Sequence, residues 1–304
     1  MVISTESLAR NIRDRIDPRT FWAISARFAR RHPIGAAGLI IILVVSVLVA
    51  LANFIAPFPF DRTISPKLLP LFSDNNQGKL MILGSDELGR DILSRLLHGG
   101  RTSLMVGILS PLLGVAAGTL LGIASAYFGG LVDLIVQRFV DTLIMVPGLV
   151  VAMAITVVFG FSPMVVIIAL SVNMVGGTSR VVRSHALSLT QMQFIEGGKA
   201  IGAGNWRIML RYLVPNSLAV SLVLFTVGIG NAIIAESALS FLGLGIQPPT
   251  PSWGNMLSNA QLHFDQGPHV AIIPGLTITL VVLAVNLFGD SVRDAVDPRL
   301  RGRR

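Results

Sequence analysis

Few residues in this chain have the type and spacing for chemistry. Gly197-Gly198-Lys199 sets glycines before a lysine, as a phosphate-binding loop does. It lacks the leading glycine of that motif and the hydroxyl residue that must follow the lysine to reach Mg²⁺. The chain is therefore expected not to hydrolyse ATP and to hold no cofactor of its own. His32, His98, His185, His263 and His269 form no HExxH pair and no cluster, so no metal ligation is expected. No Ser/His/Asp set follows from spacing, and without cysteine there is neither a disulfide nor a thiolate site. Three charged groupings remain. Glu196 and Lys199 share a polar loop. Arg138 can pair with Asp141 at i, i+3, with Asp133 nearby. Glu236 ends an apolar run; an ionisable residue at that depth marks a site by default. Polar turns follow at once, so Glu236 is expected to be interfacial and solvated.

These residues hang on an apolar frame. Of 304 residues, 52% are hydrophobic and 13% charged, and the mean hydropathy is +0.72. Soluble domains carry roughly 25% charge, so the chain reads as an all-α polytopic membrane protein. Residues 1–33 form a basic arm, with seven arginines against Glu6, Asp14 and Asp17. Phe21, Trp22, Ile24 and Phe28 recur at roughly helical spacing, so the arm either lies on the bilayer surface or is a solvated tail. Residues 34–60 carry no charged side chain and supply a first span, because about 20 residues cross the hydrocarbon. The run is too long for a cleaved leader.

Residues 61–100 form a loop without net charge. Within it Ser85–His98 reads as an amphipathic helix, with Asp86 and Glu87 at its start and Arg95 near its end. Leu88, Ile92, Leu93, Leu96 and Leu97 make its apolar stripe. A five-span core over 101–290 follows. Thr102–Val132 is uncharged, and Gly107, Gly114, Gly118 and Gly122 offer a face for close helix approach. Thr142–Ser179 is too long for one span and breaks at 159–163 into spans three and four, with Pro147 kinking the third. Tyr212–Ala235 and Val270–Gly289 complete six spans, and 291–304 is a basic tail.

The longest polar interruption in the C-terminal half is Thr190–Pro215. Thr190 with Gln193 is a capping-box pattern and Leu189 with Phe194 a hydrophobic staple, so a short helix is predicted from Gln191. Gly202 is placed to end it in the left-handed conformation. Asn205 is placed to cap a second helix from Trp206. Gly197 and Gly198 weaken the first helix by about 1 kcal/mol each. Such a helix is stable only when packed against something.

Glu196-Gly197-Gly198, then Gly202, then Pro215 resembles the loop of ABC-importer permeases: Glu-Ala-Ala, three residues, Gly, nine residues, Ile-x-Leu-Pro. Glycines replace the alanines, Tyr212 stands at the isoleucine and Val214 at the leucine. Three further stretches resemble the dipeptide/oligopeptide/nickel branch of that family, and its C-type peptide permease in particular. They are Leu83–Asp91 (LGSDELGRD), Glu236–Gly254 (ESALSFLGLGIQPPTPSWG) and Gly289–Arg299 (GDSVRDAVDPR). The last two follow apolar spans, and the prolines and glycines of 242–254 forbid one continuous helix there.

Six spans put both termini on one side. The arm, 128–141, 179–212 and the tail carry a net +9, and the opposite segments a net −1. Basic excess marks the cytoplasm, so the loop at about 180–212 is expected there, with 61–100 and 236–265 outside. The net charge of +8 is then topology, not nucleic-acid binding. The expected fold is a type I ABC importer permease with six transmembrane helices and a cytoplasmic coupling helix, in a bacterial inner membrane. The resemblance implies a second homologous permease, two cytoplasmic ATPase subunits or domains that carry ATP and Mg, and an extracytoplasmic substrate-binding protein. Glu196, Gly197, Gly198, Lys199, Gly202 and Pro215 are expected at the ATPase contact, Glu196 through a charged hydrogen bond and Gly202 through close approach. The expected cargo is a di- or oligopeptide, moved by alternating access; nickel or another small ligand is the alternative. The rival is an ion-coupled secondary transporter. That rival wants ionisable groups buried mid-span and inverted repeats, and neither is visible in the sequence.

Overall fold

The computed structural model describes residues 29–75 and 77–296. The expectations for an interfacial arm and for the last residues of the tail lie outside them. Helix α1 spans Pro33–Ala50 and a short α2 spans Ala52–Ile55. A loop follows, pinned by a two-residue antiparallel pairing of β1 (Ser73–Asp74) with β2 (Leu80–Met81). Then come α3 (Ile92–Phe128), α4 (Gly130–Met145), α5 (Gly148–Phe159) and α6 (Pro163–Thr190). Two short helices, α7 (Gln193–Ala200) and α8 (Asn205–Ile208), lead through a π-helical turn at Met209–Leu213 into α9 (Val214–Phe241). Helix α10 (Trp253–Ala260) and a 3₁₀ turn precede α11 (His269–Val296).

Five stretches are long and apolar enough to cross a membrane, and α4 with α5 makes a sixth if that pair, bent by 89°, is one span. The expected kink is thus a full break. Pro147 removes a helical N–H, and Val146 before it is extended at φ −90° and ψ 131°.

Helices α3 and α6 pack most extensively. A Cβ at Gly114, Gly118 or Gly122 would stand 2.5–2.7 Å from atoms of α6, namely the Ser171 carbonyl, Thr178 and the Ser179 carbonyl. Three of the four glycines of the predicted face therefore set this approach, while Gly107 meets Ile233 of α9 instead. The bundle is further tied by α9 on α3 and by α11 on α1 and α9.

The amphipathic helix expected at 85–98 is a correction. Helix α3 begins only at Ile92, where the Asp91 carboxylate accepts the Ser94 N–H at 2.8 Å. It then continues through Gly99, Gly100 and Arg101 into the second span. The two glycines are contact points: a Cβ at Gly100 would meet Val49 at 2.5 Å. Arg101 donates to the carbonyls of Val49 and Ala50 at 3.0 and 2.9 Å and so caps the end of α1. Spans four and five are likewise longer than expected, so Arg180, Arg183, Arg207 and Arg211 lie on helical turns flanking a loop of only 191–204.

Candidate functional site

Helix α7 sits between α6 and α9 at one end of the bundle. Its only buried members are Ile195 and Gly198. Ile195 is fully buried against Ile123, Val182, Ala186, Leu189, Ile208 and Leu213. This one side chain anchors the helix in the crotch of α3, α6 and the π turn. A second tether comes from Tyr127 at the end of α3. Its hydroxyl donates to Asn205 Oδ1 at 2.9 Å, and Lys199 Nζ stands 5.6 Å from its ring centroid. Phe194 stacks on Tyr212 with centroids 6.4 Å apart.

The remainder of α7 is presented outward. Glu196, Gly197 and Gly202 are exposed, as are Met192, Phe194, Ile201 and Trp206. Glu196 has no ion-pair partner among the described residues. The result is an apolar knob carrying one free carboxylate.

Its C-terminus follows the expected chemistry. Gly202 is left-handed at φ +77°, its N–H bonds the Lys199 carbonyl, and the Ala203 N–H bonds the Gly198 carbonyl, both at 3.0 Å. This is a Schellman motif. The N-terminus does not follow it. Thr190 is the last residue of α6, and its hydroxyl donates to the Leu187 carbonyl of its own helix. Helix α7 starts two residues later than predicted, with Met192 at the cap and no side-chain cap bond. Asn205 is the first residue of α8 rather than its cap, because its side chain is engaged by Tyr127. Pro215 lies just beyond the π turn. Proline has no N–H to give and its ring crowds the carbonyl four residues back; the wider turn, closed by Val214 N–H to the Met209 carbonyl, relieves both.

Two ion pairs that the sequence did not point to brace this end. Arg183 of α6 holds Asp133 of α4 through both carboxylate oxygens at 2.6 Å, and Arg180 holds Asp141 at 2.5 Å. The expected Arg138–Asp141 contact is 3.9 Å long with Arg138 largely exposed. Asp133 also accepts from Ser125. The signal that could have found these pairs is acid on one helix facing arginine on the next at the same bundle end.

The opposite end holds charge in its interior. Asp86 accepts from Arg90 Nε at 2.6 Å and forms a looser ion pair with Arg95 Nε at 3.4 Å, and Glu87 accepts from Arg90 at 2.9 Å. The tight loop needs Gly89 at φ +74°, where a Cβ would stand 2.2 Å from the Ser65 carbonyl. Burial, then repulsion by Asp86, pushes the Glu87 carboxyl above its ordinary value, and burial does the same to Asp91. A cleft of about 400 Å³ opens beside them, lined by Glu87, Arg90, Pro248, Asn259, Gln261 and His263.

Glu236 corrects the expectation of a solvated carboxylate: it is fully buried. The Ser103 hydroxyl donates to it at 3.2 Å while accepting the Trp253 N–H at 3.1 Å. The Ser240 hydroxyl donates at 2.8 Å while accepting the Ile246 N–H at 3.1 Å. Glu236 therefore joins α3, α9, the 243–246 turn and the start of α10.

Comparison with known proteins agrees with this architecture. Residues 118–302 match the family described as binding-protein-dependent transport system inner membrane component. The chain is 39% identical over 302 residues to the glutathione transport system permease protein GsiD of Pectobacterium atrosepticum, covering 99% of this chain and 97% of that one. It is 40% identical over 284 residues to the protein of the same name from Escherichia coli, covering 93% and 90%. Among solved structures it resembles the inward-facing MetNI methionine ABC transporter, with a TM-score of 0.52 at 18% identity, over 66% of this chain and 96% of that one.

Proposed function

We propose a function from one premise: the chain belongs to the family of binding-protein-dependent transport system inner membrane components. It is the multi-pass permease subunit of an ABC importer, with α7 as the helix that receives force from a cytoplasmic ATPase. The supporting observation is the build of α7, an exposed knob fixed at Ile195 and Tyr127 and standing between two spans. Force applied to Glu196, Gly197 or Ile201 reaches α3, α6 and the π turn that leads into α9 through these two anchors. Glu196 supplies the charged contact, Gly202 the turn, Lys199 the tether and Pro215 the π turn that leads into α9. The permease pairs with a second homologous permease. Two ATPase subunits or domains, carrying ATP and Mg, meet the α7 end in the cytoplasm, and an extracytoplasmic binding protein meets the other. The basic excess near α7 supports that orientation and cytoplasmic termini.

The cargo is a short peptide. Relatives named for glutathione transport support it, since glutathione is itself a small peptide. The buried Glu236 lends some weight to an ion-coupled carrier. Its two oxygens are already engaged by hydroxyls that relay backbone N–H groups, so it acts as a strut rather than an ion site. The test is reconstitution of the co-expressed complex in proteoliposomes. ATP-dependent uptake of a labelled di- or tripeptide is expected. Uptake driven by a proton gradient without ATP would sink the importer reading, and ATP-dependent uptake of nickel alone would sink the peptide.

A further inference from the structure

Trp206, Leu210, Val214, Leu218 and Leu222 recur at four-residue spacing through α8, the π turn and α9. They form one strip along the helix. All are exposed except Val214, which is half-buried. The opposite side is closed: Ile208, Met209 and Leu213 are buried in one cluster with Ile123, Val182 and Ile195. Leu218 and Leu222 lie within a stretch apolar enough to cross a membrane. The strip changes chemistry toward α7. Trp206 is 70% exposed, and its indole N–H has no partner among the described residues. Arg207 and Arg211, on the neighbouring row, are exposed and pair with no carboxylate among the described residues. The exposed arginines of α4 and α6 differ, since Arg138 and Arg180 share Asp141.

Two like charges about one turn apart on a helix repel each other. No acid lies between or beside them, because residues 205–216 contain neither Asp nor Glu. A guanidinium fork matches phosphate oxygens, and one phosphate set between two such forks removes the repulsion. Position along the chain supplies the source of that phosphate. Arg211 and Leu218 are seven residues apart, roughly 10 Å along the axis. With the leucines in hydrocarbon, the arginines stand at headgroup level. An exposed tryptophan at that boundary keeps its ring among acyl chains and its N–H among headgroups. We infer that the face of Trp206, Arg207 and Arg211 binds the phosphate headgroup of an anionic phospholipid in the leaflet on the α7 side. The bound lipid holds the elbow between α8 and α9 at the membrane surface. A zwitterionic lipid fits less well, since its own cation meets two unpaired arginines. The leucine strip runs on from this face without a break, so the face belongs to the bilayer rather than to the knob of α7.

The test counts lipid and needs no transport, so its outcome is independent of the importer reading. The complete co-expressed complex is placed in nanodiscs of equal phosphatidylglycerol and phosphatidylcholine, then released into detergent. Retained lipid is counted by native mass spectrometry. The parent should keep phosphatidylglycerol in preference to phosphatidylcholine. Each arginine near the surface is worth about fivefold in affinity, so Arg207→Gln with Arg211→Gln should weaken the site about thirtyfold. Retention of one phosphatidylglycerol should be lost with it. Lys67→Gln, at an exposed cation on the loop between α2 and α3, should retain lipid as the parent does. If the doubly substituted complex does not assemble, Arg207→Gln alone decides in the same way, with a loss of about fivefold. Equal retention by parent and variant overturns the inference. So does equal retention of the two lipids by the parent, since the strip then holds acyl chains alone. Loss of the ATPase subunits in place of lipid also overturns it, because the arginines then belong to that partner. The chain has no cysteine, so Leu218→Cys reports cleanly; its cross-linking to the second permease would make the strip an interface and overturn the inference too.

Discussion

At one end of the bundle, charged and hydroxyl side chains are buried and cross-linked. Asp86, Arg90, Arg95 and Asp91 are all nearly inaccessible, and Glu236 is enclosed by Ser103, Ser240 and the start of α10. At the other end, Glu196 is exposed, α7 carries two glycines, and one buried isoleucine secures it. Buried charges and hydroxyls are costly to leave unpaired, so a network of them permits one arrangement. A helix with a single apolar anchor permits small displacements. The first end suits a fixed mouth and the second a part that takes a push. The same logic separates the ion pairs near α7: Arg183–Asp133 and Arg180–Asp141 are partly solvated and contribute modestly. They align α4 with α6 without locking the knob.

The sharpest way to break this contrast is to remove the centre of the rigid end. Glu236→Leu leaves the Ser103 and Ser240 hydroxyls without their acceptor and unseats Trp253, a fully buried side chain. The expected cost is about 3 kcal/mol, read as lost yield of assembled complex and a lowered Tm in detergent. Glu236→Gln keeps one acceptor oxygen and should lie between. If Glu236→Leu assembles with a Tm equal to the parent, the node is not structural.

The next effect belongs to the soft end. A Cβ at Gly202 meets no atom within 4 Å, so the chief penalty of Gly202→Val comes from the backbone at φ +77°. A β-branched residue there costs about 1–2 kcal/mol, enough to unravel the turn between α7 and α8. Assembly should survive while transport per ATP hydrolysed falls at least severalfold. Unchanged stoichiometry would show that this turn does not carry force.

Acidity offers a milder probe of the rigid end. The Glu87 carboxyl is raised above 4.5 by burial first and Asp86 second, and the Arg90 contact opposes this without cancelling it. A raised carboxyl binds its proton more tightly in the folded state. Its contribution is complete below 4.5 and is lost as pH rises through the raised value. Thermal denaturation should therefore show the parent gaining on Glu87→Gln as pH is lowered toward 4.5. Parallel curves for the two proteins would contradict the burial of this group.

Much of this was legible in the sequence. The spans are long runs without charge, and the glycine face of α3 declares itself by spacing. Gly202 ends α7 as its residue type predicts. What was hidden depends on partners far along the chain. Glu236 looked solvated because Ser103, which donates to it, lies 133 positions away. Thr190 looked like a cap because nothing local shows that α6 still uses its hydroxyl. Asp86 and Glu87 looked like the first turn of a helix. Their carboxylates instead fold back on Arg90 in a tight loop and leave the capping to Asp91.

The smallest expected effect tests whether softness itself matters. A Cβ at Gly197 or Gly198 meets nothing within 4 Å, so the double replacement Gly197→Ala, Gly198→Ala adds helix propensity without a clash. Each alanine favours the helix by about 1 kcal/mol. Ile195 already fixes the buried face, so the gain goes into resistance to fraying rather than into a new position. Limited proteolysis within 191–204 should slow severalfold, while peptide uptake stays within twofold of the parent. A marked fall in uptake, with the loop better protected, would mean that fraying of α7 is part of the stroke, and the contrast between the two ends would then be one of local unfolding rather than of rigid displacement.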